Sequence, residues 1–156
     1  MLELITDRTA QDVARLQTLN AKGWDNMSDA EKAEWRTASK GAYNYSDLNR
    51  VENAVKYLGE LLNENHFPVE LLEVRTWNAA DVPTLTDMTR YLENIRRIRE
   101  AFVTLTTTPQ VPASMRSLTY VEANAIEQIL ADVARLMGNM LSTYYHCGEV
   151  FGGELY

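Results

Sequence analysis

The sequence predicts an all-α fold, a small bundle of four to five helices with a long central C-terminal helix and one extended irregular arm. Three observations predict it. Ile126, Leu130, Val133, Met137, Met140 and Tyr144 recur at spacings of 4, 3, 4, 3 and 4, one face of an α-helix. Leu48, Val51, Val55, Leu58 and Leu62 repeat the pattern at 3, 4, 3 and 4. Between such segments, HFPVELLEVRTWNAADVPT carries Pro68, the β-branched Val69 and Val74, and a Trp77-Asn78 exit. It reads as extended chain with no second strand to pair with.

Taken in order, Met1 to Ile5 is a short apolar lead, and Thr6 and Asp7 open a helix with Val13, Leu16, Leu19 and Ala14 inward. That helix ends near Gly23. Ser28 with Glu31 forms a capping box for a short charged helix that should stop at Gly41. Its one large apolar residue, Trp35, is expected to pin it to the body. Ser46 is the expected N-cap of the next helix. In the arm, Phe67, Leu72 and Trp77 are the expected packing residues. Thr84 and Asp87 start a helix whose inward stripe is Met88, Tyr91, Leu92, Ile95, Ile98 and Phe102. A loop holding Pro109 and Pro112 then spans back to the last helix. Thr119 with Glu122 caps that helix, Ile129 and Leu136 widen its stripe, and Val121 and Ala125 extend it. Gly148 is its expected stop, because HCGEVFGGELY is glycine-rich. The domain reading is a helical bundle over 1–147 and a flexible or docking tail over 148–156.

The bulk numbers exclude several functions. Fifteen Lys plus Arg against 22 Asp plus Glu leave a net charge of −7, opposite to a general nucleic-acid binder. No apolar run approaches the ~18 residues of a membrane span. The acidic N-terminus does not resemble a signal peptide, so synthesis in the cytoplasm is expected. One cysteine, Cys147, cannot form an intramolecular disulfide.

An internal echo stands out. Tyr45-Ser-Asp-Leu-Asn-Arg-Val-Glu-Asn53 and Tyr120-Val-Glu-Ala-Asn-Ala-Ile-Glu-Gln128 place a tyrosine, an acid, an asparagine and a glutamate at the same offsets. Asp87-Met-Thr-Arg-Tyr91 echoes Asp47-Leu-Asn-Arg-Val51 more faintly. Asparagine is a poor helix-interior residue but a good partner for neighbouring backbone. Asn49 and Asn124 are therefore expected to be partly buried, analogous latches, with Glu52, Glu127, Tyr45 and Tyr120 as their companions.

ITDRTAQDVARLQTLNAKGW, KGAYNYSDLNRVENAVKYL, TYVEANAIEQIL and YYHCGEVFGGELY together resemble a helical module of proteins from the tail regions of phages and prophages of Firmicutes. The resemblance covers nearly the whole chain. It implies a non-enzymatic structural or assembly role, association with virions, and protein partners that are further copies or tail components. It brings no catalytic motif, and Tyr145-His146-Cys147-Gly148 departs from its aromatic-Ser-Gly pattern.

Other chemistry finds little support. His146, Cys147 and Glu149 match no usual metal spacing, and His66 lies far away in sequence. Cys147 has no local nucleophile signature. Glu70 with Glu73 and Glu52 with Glu60 are pairs expected on an acidic surface, and they leave a cryptic hydrolase as a remote alternative. Neither a cofactor nor a metal site is expected. Arg96 and Arg97 read as a solvated face, whereas Arg99 should pack its stem and find a carboxylate. Tyr144, Tyr145, Val150, Phe151 and Tyr156 are the candidate interface, supporting a possible homo-oligomer; Tyr43 belongs to the same tyrosine-rich composition. A free-standing binding module is the main alternative, and a shared exposed face among Trp24, Trp35 and Trp77 would favour it.

Overall fold

A computed structural model of the chain describes residues 2–153, without the side chains of residues 37, 38 and 144–153. It is all-helical: α1 (Ala10–Lys22), α2 (Asp29–Ala33), α3 (Tyr45–Glu64), α4 (Leu85–Ala101) and α5 (Tyr120–Gly153), with no strand among the described residues. A 3₁₀ turn (Trp24–Asn26) joins α1 to α2, and a single π turn (Glu34–Ala38) follows α2.

Local chemistry explains where each helix begins. In α1, α2, α3 and α4 the N-cap side chain accepts the N3 amide while the N3 acid accepts the N-cap amide. Thr119 and Glu122 exchange the same bonds before α5, at 2.9 and 3.2 Å. Two starts differ from expectation. The α1 cap is Thr9, bonded to Asp12, rather than Thr6 and Asp7. The α3 cap is Asn44, not Ser46, because the Asn44 carbonyl oxygen takes the amides of Ser46 and Asp47 while the Ser46 hydroxyl also donates to it.

Gly148 does not stop α5. The helix runs on to Gly153, and Glu154, Leu155 and Tyr156 lie outside the described residues. One glycine inside a helix costs only about 0.5–1 kcal/mol, and extending an existing helix needs no new nucleus.

Helices α3, α4 and α5 contact one another pairwise and form the core. Leu48, Val51, Val55, Leu58 and Leu62 meet Tyr91, Leu92, Ile95 and Ile98 and the α5 stripe Ile126, Ile129, Leu130, Val133 and Met137. All are buried. Met88, Phe102 and Met140 close the edges of this cluster. Val121, expected on the stripe, is 58% exposed, because five residues put it about 140° around the helix from Ile126, whereas Ala123, three residues before Ile126, is buried.

The three core helices run parallel. Their connections, residues 65–84 and 102–119, return along the bundle as extended straps, and residues 2–9 form a third. The middle strap passes from Val69, beside Asn63 near the end of α3, to Trp77, beside Asn49 near its start. In the last strap, Thr108 and Pro109 bind Arg99 near the end of α4, while Met115 and Leu118 reach Leu85 and Met88 near its start. Leu2 and Leu4 lie in the groove between α3 and α5, against Leu61 and Ala134.

Two packing expectations need correction. Leu71, not Leu72, enters the body: it sits so close to Gly59 that a Cβ there would lie 2.5 Å from its Cδ1, while Leu72 is 37% exposed. The neighbouring Leu72 points away because side chains alternate along extended chain. Arg99 finds the carbonyls of Pro109 and Thr108 rather than a carboxylate, since it faces the strap.

Helices α1 and α2 make a small unit of their own near the start of α5. Leu19 and Met27 are buried there, apart from the main core, while Val13 and Leu16 are half-buried and Ala14 is exposed. Trp35 pins α2 to α1 rather than to the bundle, donating its indole N–H to Asn20 at 2.8 Å.

Candidate functional site

The echoed residues occupy equivalent stations at the straps. Asn124 accepts the Arg8 amide at 3.0 Å and donates to the Arg8 carbonyl at 2.9 Å. Asn49 does the same for Trp77, at 2.7 and 2.8 Å. Each carboxamide supplies one acceptor and one donor, the pairing a neighbouring β-strand would offer. An extended strap with no strand beside it thereby satisfies its backbone. Sequence reasoning missed two further latches of this kind, Asn94 on Leu72 and Asn63 on Val69.

Both echoed glutamates are enclosed, Glu127 at 0% exposure and Glu52 at 2%. Glu127 accepts from the Ile5 amide (2.6 Å), from Arg8 (2.7 Å), and from Arg50 through Nε (2.9 Å) and Nη2 (2.8 Å). Asp47 completes the cluster by binding both Arg8 and Arg50. Glu52 pairs with Arg90 at 2.7 Å, and Arg90 also donates to the Glu73 carbonyl. These arginines had a signal in the sequence, since the faint echo puts Arg50 and Arg90 at the same place. Arg50 has its pKa pushed upward: burial opposes its charge, but hydrogen bonds to Glu127 and Asp47 outweigh that. Every oxygen of Glu127 is occupied by a donor, which suits clamping and leaves no lone pair facing a substrate. The echoed tyrosines do not latch anything: Tyr45 is 46% exposed, and Tyr120 lines a shallow cavity beside Gly41 and Val13.

The other candidates are scattered. Glu70 and Glu73 are exposed on the middle strap, and Glu60 is exposed on α3, away from buried Glu52. Arg96 and Arg97 both pair with Glu93 at the surface. His66 sits alone in the turn after α3 with a positive φ of 66°. Among the described residues no three His, Cys, Asp or Glu side chains are placed to hold a metal ion, and no helix of the described residues is long and apolar enough to cross a membrane. The side chains of His146, Cys147, Glu149, Tyr144, Tyr145, Val150 and Phe151 lie outside the described residues, as does Tyr156 altogether.

The surface feature that stands apart is a pocket of about 360 Å³ lined by Asn20, Trp24, Met27, Trp35 and Arg36. Trp24 and Trp35 meet edge to face with ring centroids 5.7 Å apart, yet stay 37% and 42% exposed. Arg36 stacks on the Trp24 ring at 4.6 Å and Lys32 lies over it at 5.4 Å. Nearby Arg15 and Lys22 are paired with Glu34 and Glu31, whereas the two cations on Trp24 make no ion pair among the described residues. The π turn places Trp35 and Arg36 here, and such turns often mark functional positions. Trp77 does not share this face; it is buried at 2% under Arg75.

Compared with protein-family models, with curated proteins and with solved structures, the chain matches none.

Proposed function

We propose that this chain is a non-enzymatic helical module that works through protein–protein contacts, and that its setting is the tail region of a phage or prophage. The observation that carries the contact role is the exposed Trp24–Trp35 pair with Arg36 and Lys32. Tryptophan and arginine are among the residues most enriched at binding hot spots, and a half-exposed pair in which Trp35 is fixed by its hydrogen bond to Asn20 and Trp24 by ring and cation contacts is already organised for contact. A rigid three-helix body supports that reading, because its buried charges clamp straps rather than face a cleft. The tail setting rests on the sequence resemblance.

Co-expression with phage tail structural proteins, followed by cross-linking and mass analysis, tests the proposal. Capture of a tail component by the natural chain and its loss on Trp35→Ala, with the fold retained by circular dichroism, is the expected result. Capture that is indifferent to Trp24 and Trp35 would remove the pocket from the proposal, and hydrolytic turnover by the pure chain would overturn it.

A further inference from the structure

We infer that the Trp24–Trp35 pocket receives the segment Glu154-Leu155-Tyr156 of a second copy of this chain, joining copies head to tail. The inference rests on the contact role proposed above and names its partner. Charge is the first argument. The pocket combines aromatic walls with two cations that make no ion pair among the described residues, so it fits an acidic segment carrying an apolar or aromatic side chain. Directly after α5 the chain supplies that chemistry in three consecutive residues.

Reach is the second argument, and it decides between the chain's own pocket and a neighbour's. Arg8, just before α1, is latched to Asn124, and Gly41 touches Asp12 and Leu16, so the α1–α2 unit sits at the start of α5. The 34 residues of α5 cover about 50 Å at 1.5 Å each, whereas the 13 of α1 cover about 20 Å. Even if α1 pointed back along α5, roughly 30 Å would remain, and three extended residues span only about 10 Å. Glu154–Tyr156 therefore cannot enter the pocket of its own chain. A contact between opposite ends of the molecule is heterologous, and repeats into rings or filaments rather than closing as a two-fold dimer.

Two measurements test this on the full chain. Light scattering after size exclusion should show a mass that rises with concentration, and Arg36→Glu or Glu154→Arg should each return it to a monomer. An equimolar mixture of those two variants should recover the concentration-dependent rise in mass, because the reversed pocket of one pairs with the reversed tail of the other while the natural tail and natural pocket meet at the next contact. In parallel, a peptide of residues 150–156 should shift the fluorescence of Trp24 and Trp35 saturably. It should bind Arg36→Glu several-fold more weakly, and a peptide with Lys at position 154 should regain that loss. A chain that stays monomeric while the peptide leaves tryptophan emission unchanged overturns the inference. A tail component still captured through Trp35 in that case would leave the contact proposal standing, and loss of both would remove it too.

Discussion

Glu127 carries no exposed surface, and its two oxygens accept four hydrogen bonds from Ile5, Arg8 and Arg50. Replacing one oxygen with an amide NH₂ turns a donor toward donors and leaves Arg8 and Arg50 to share Asp47 as their one carboxylate in the cluster. Glu127→Gln should therefore destabilise the fold by about 3–5 kcal/mol, read from the denaturant midpoint. A loss below about 1 kcal/mol would show that water reaches the cluster. Asn124→Ala removes one acceptor and one donor from the Arg8 backbone, so it should cost about 1–3 kcal/mol, and Asn94→Ala the same at Leu72. The Tyr43 and Tyr91 hydroxyls lie 2.6 Å apart, and burial pushes both well above the ordinary tyrosine value of 10.0. Raised folded-state values leave stability intact below pH 10 and draw it down above, as the unfolded chain ionises first. Alkaline absorbance titration should thus show two of the eight tyrosines ionising only as the protein unfolds. Tyr91→Phe should halve that late phase, because burial still holds Tyr43 above the ordinary value.

At the level of the element, the helix starts were legible because capping is local: acid and hydroxyl or amide lie three residues apart in the sequence. The error at Ser46 arose where Asn44 and Ser46 both offer a cap and only the geometry chooses Asn44. Glycines separate local from tertiary demands. Gly138 has nothing within 4 Å of an added Cβ and lies inside α5, so Gly138→Ala should stabilise by about 0.5–1 kcal/mol in thermal denaturation. Gly41 is the opposite case. An added Cβ would lie 2.2 Å from the Asp12 carbonyl oxygen, which is backbone and cannot swing aside. Gly41→Ala should push α1 away and lower the melting temperature, while the α3–α5 core keeps its helical signal. Equal thermal shifts for the two substitutions would sink this account.

For the molecule as a whole, the division into a strapped bundle and a separate α1–α2 unit predicts unequal opening. Leu19 and Met27 form a small cluster away from the main core, and α2 has five residues. Amides of α1 and α2 should exchange with solvent well before those of α3, α4 and the buried part of α5. One common exchange rate would mean that the two parts open together. The sequence by itself determined the helices, their apolar stripes, the extended strap and the paired roles of Asn49 and Asn124. Each of those depends on residue type and on spacing within one segment. Only the tertiary structure decided that the core helices run parallel, that Arg8 and Arg50 meet on Glu127, that Leu71 rather than Leu72 turns inward, and that Trp24 and Trp35 share an exposed pocket while Trp77 is buried. Those outcomes depend on which distant segments become neighbours, and burial and charge pairing are settled by the neighbour rather than by the residue.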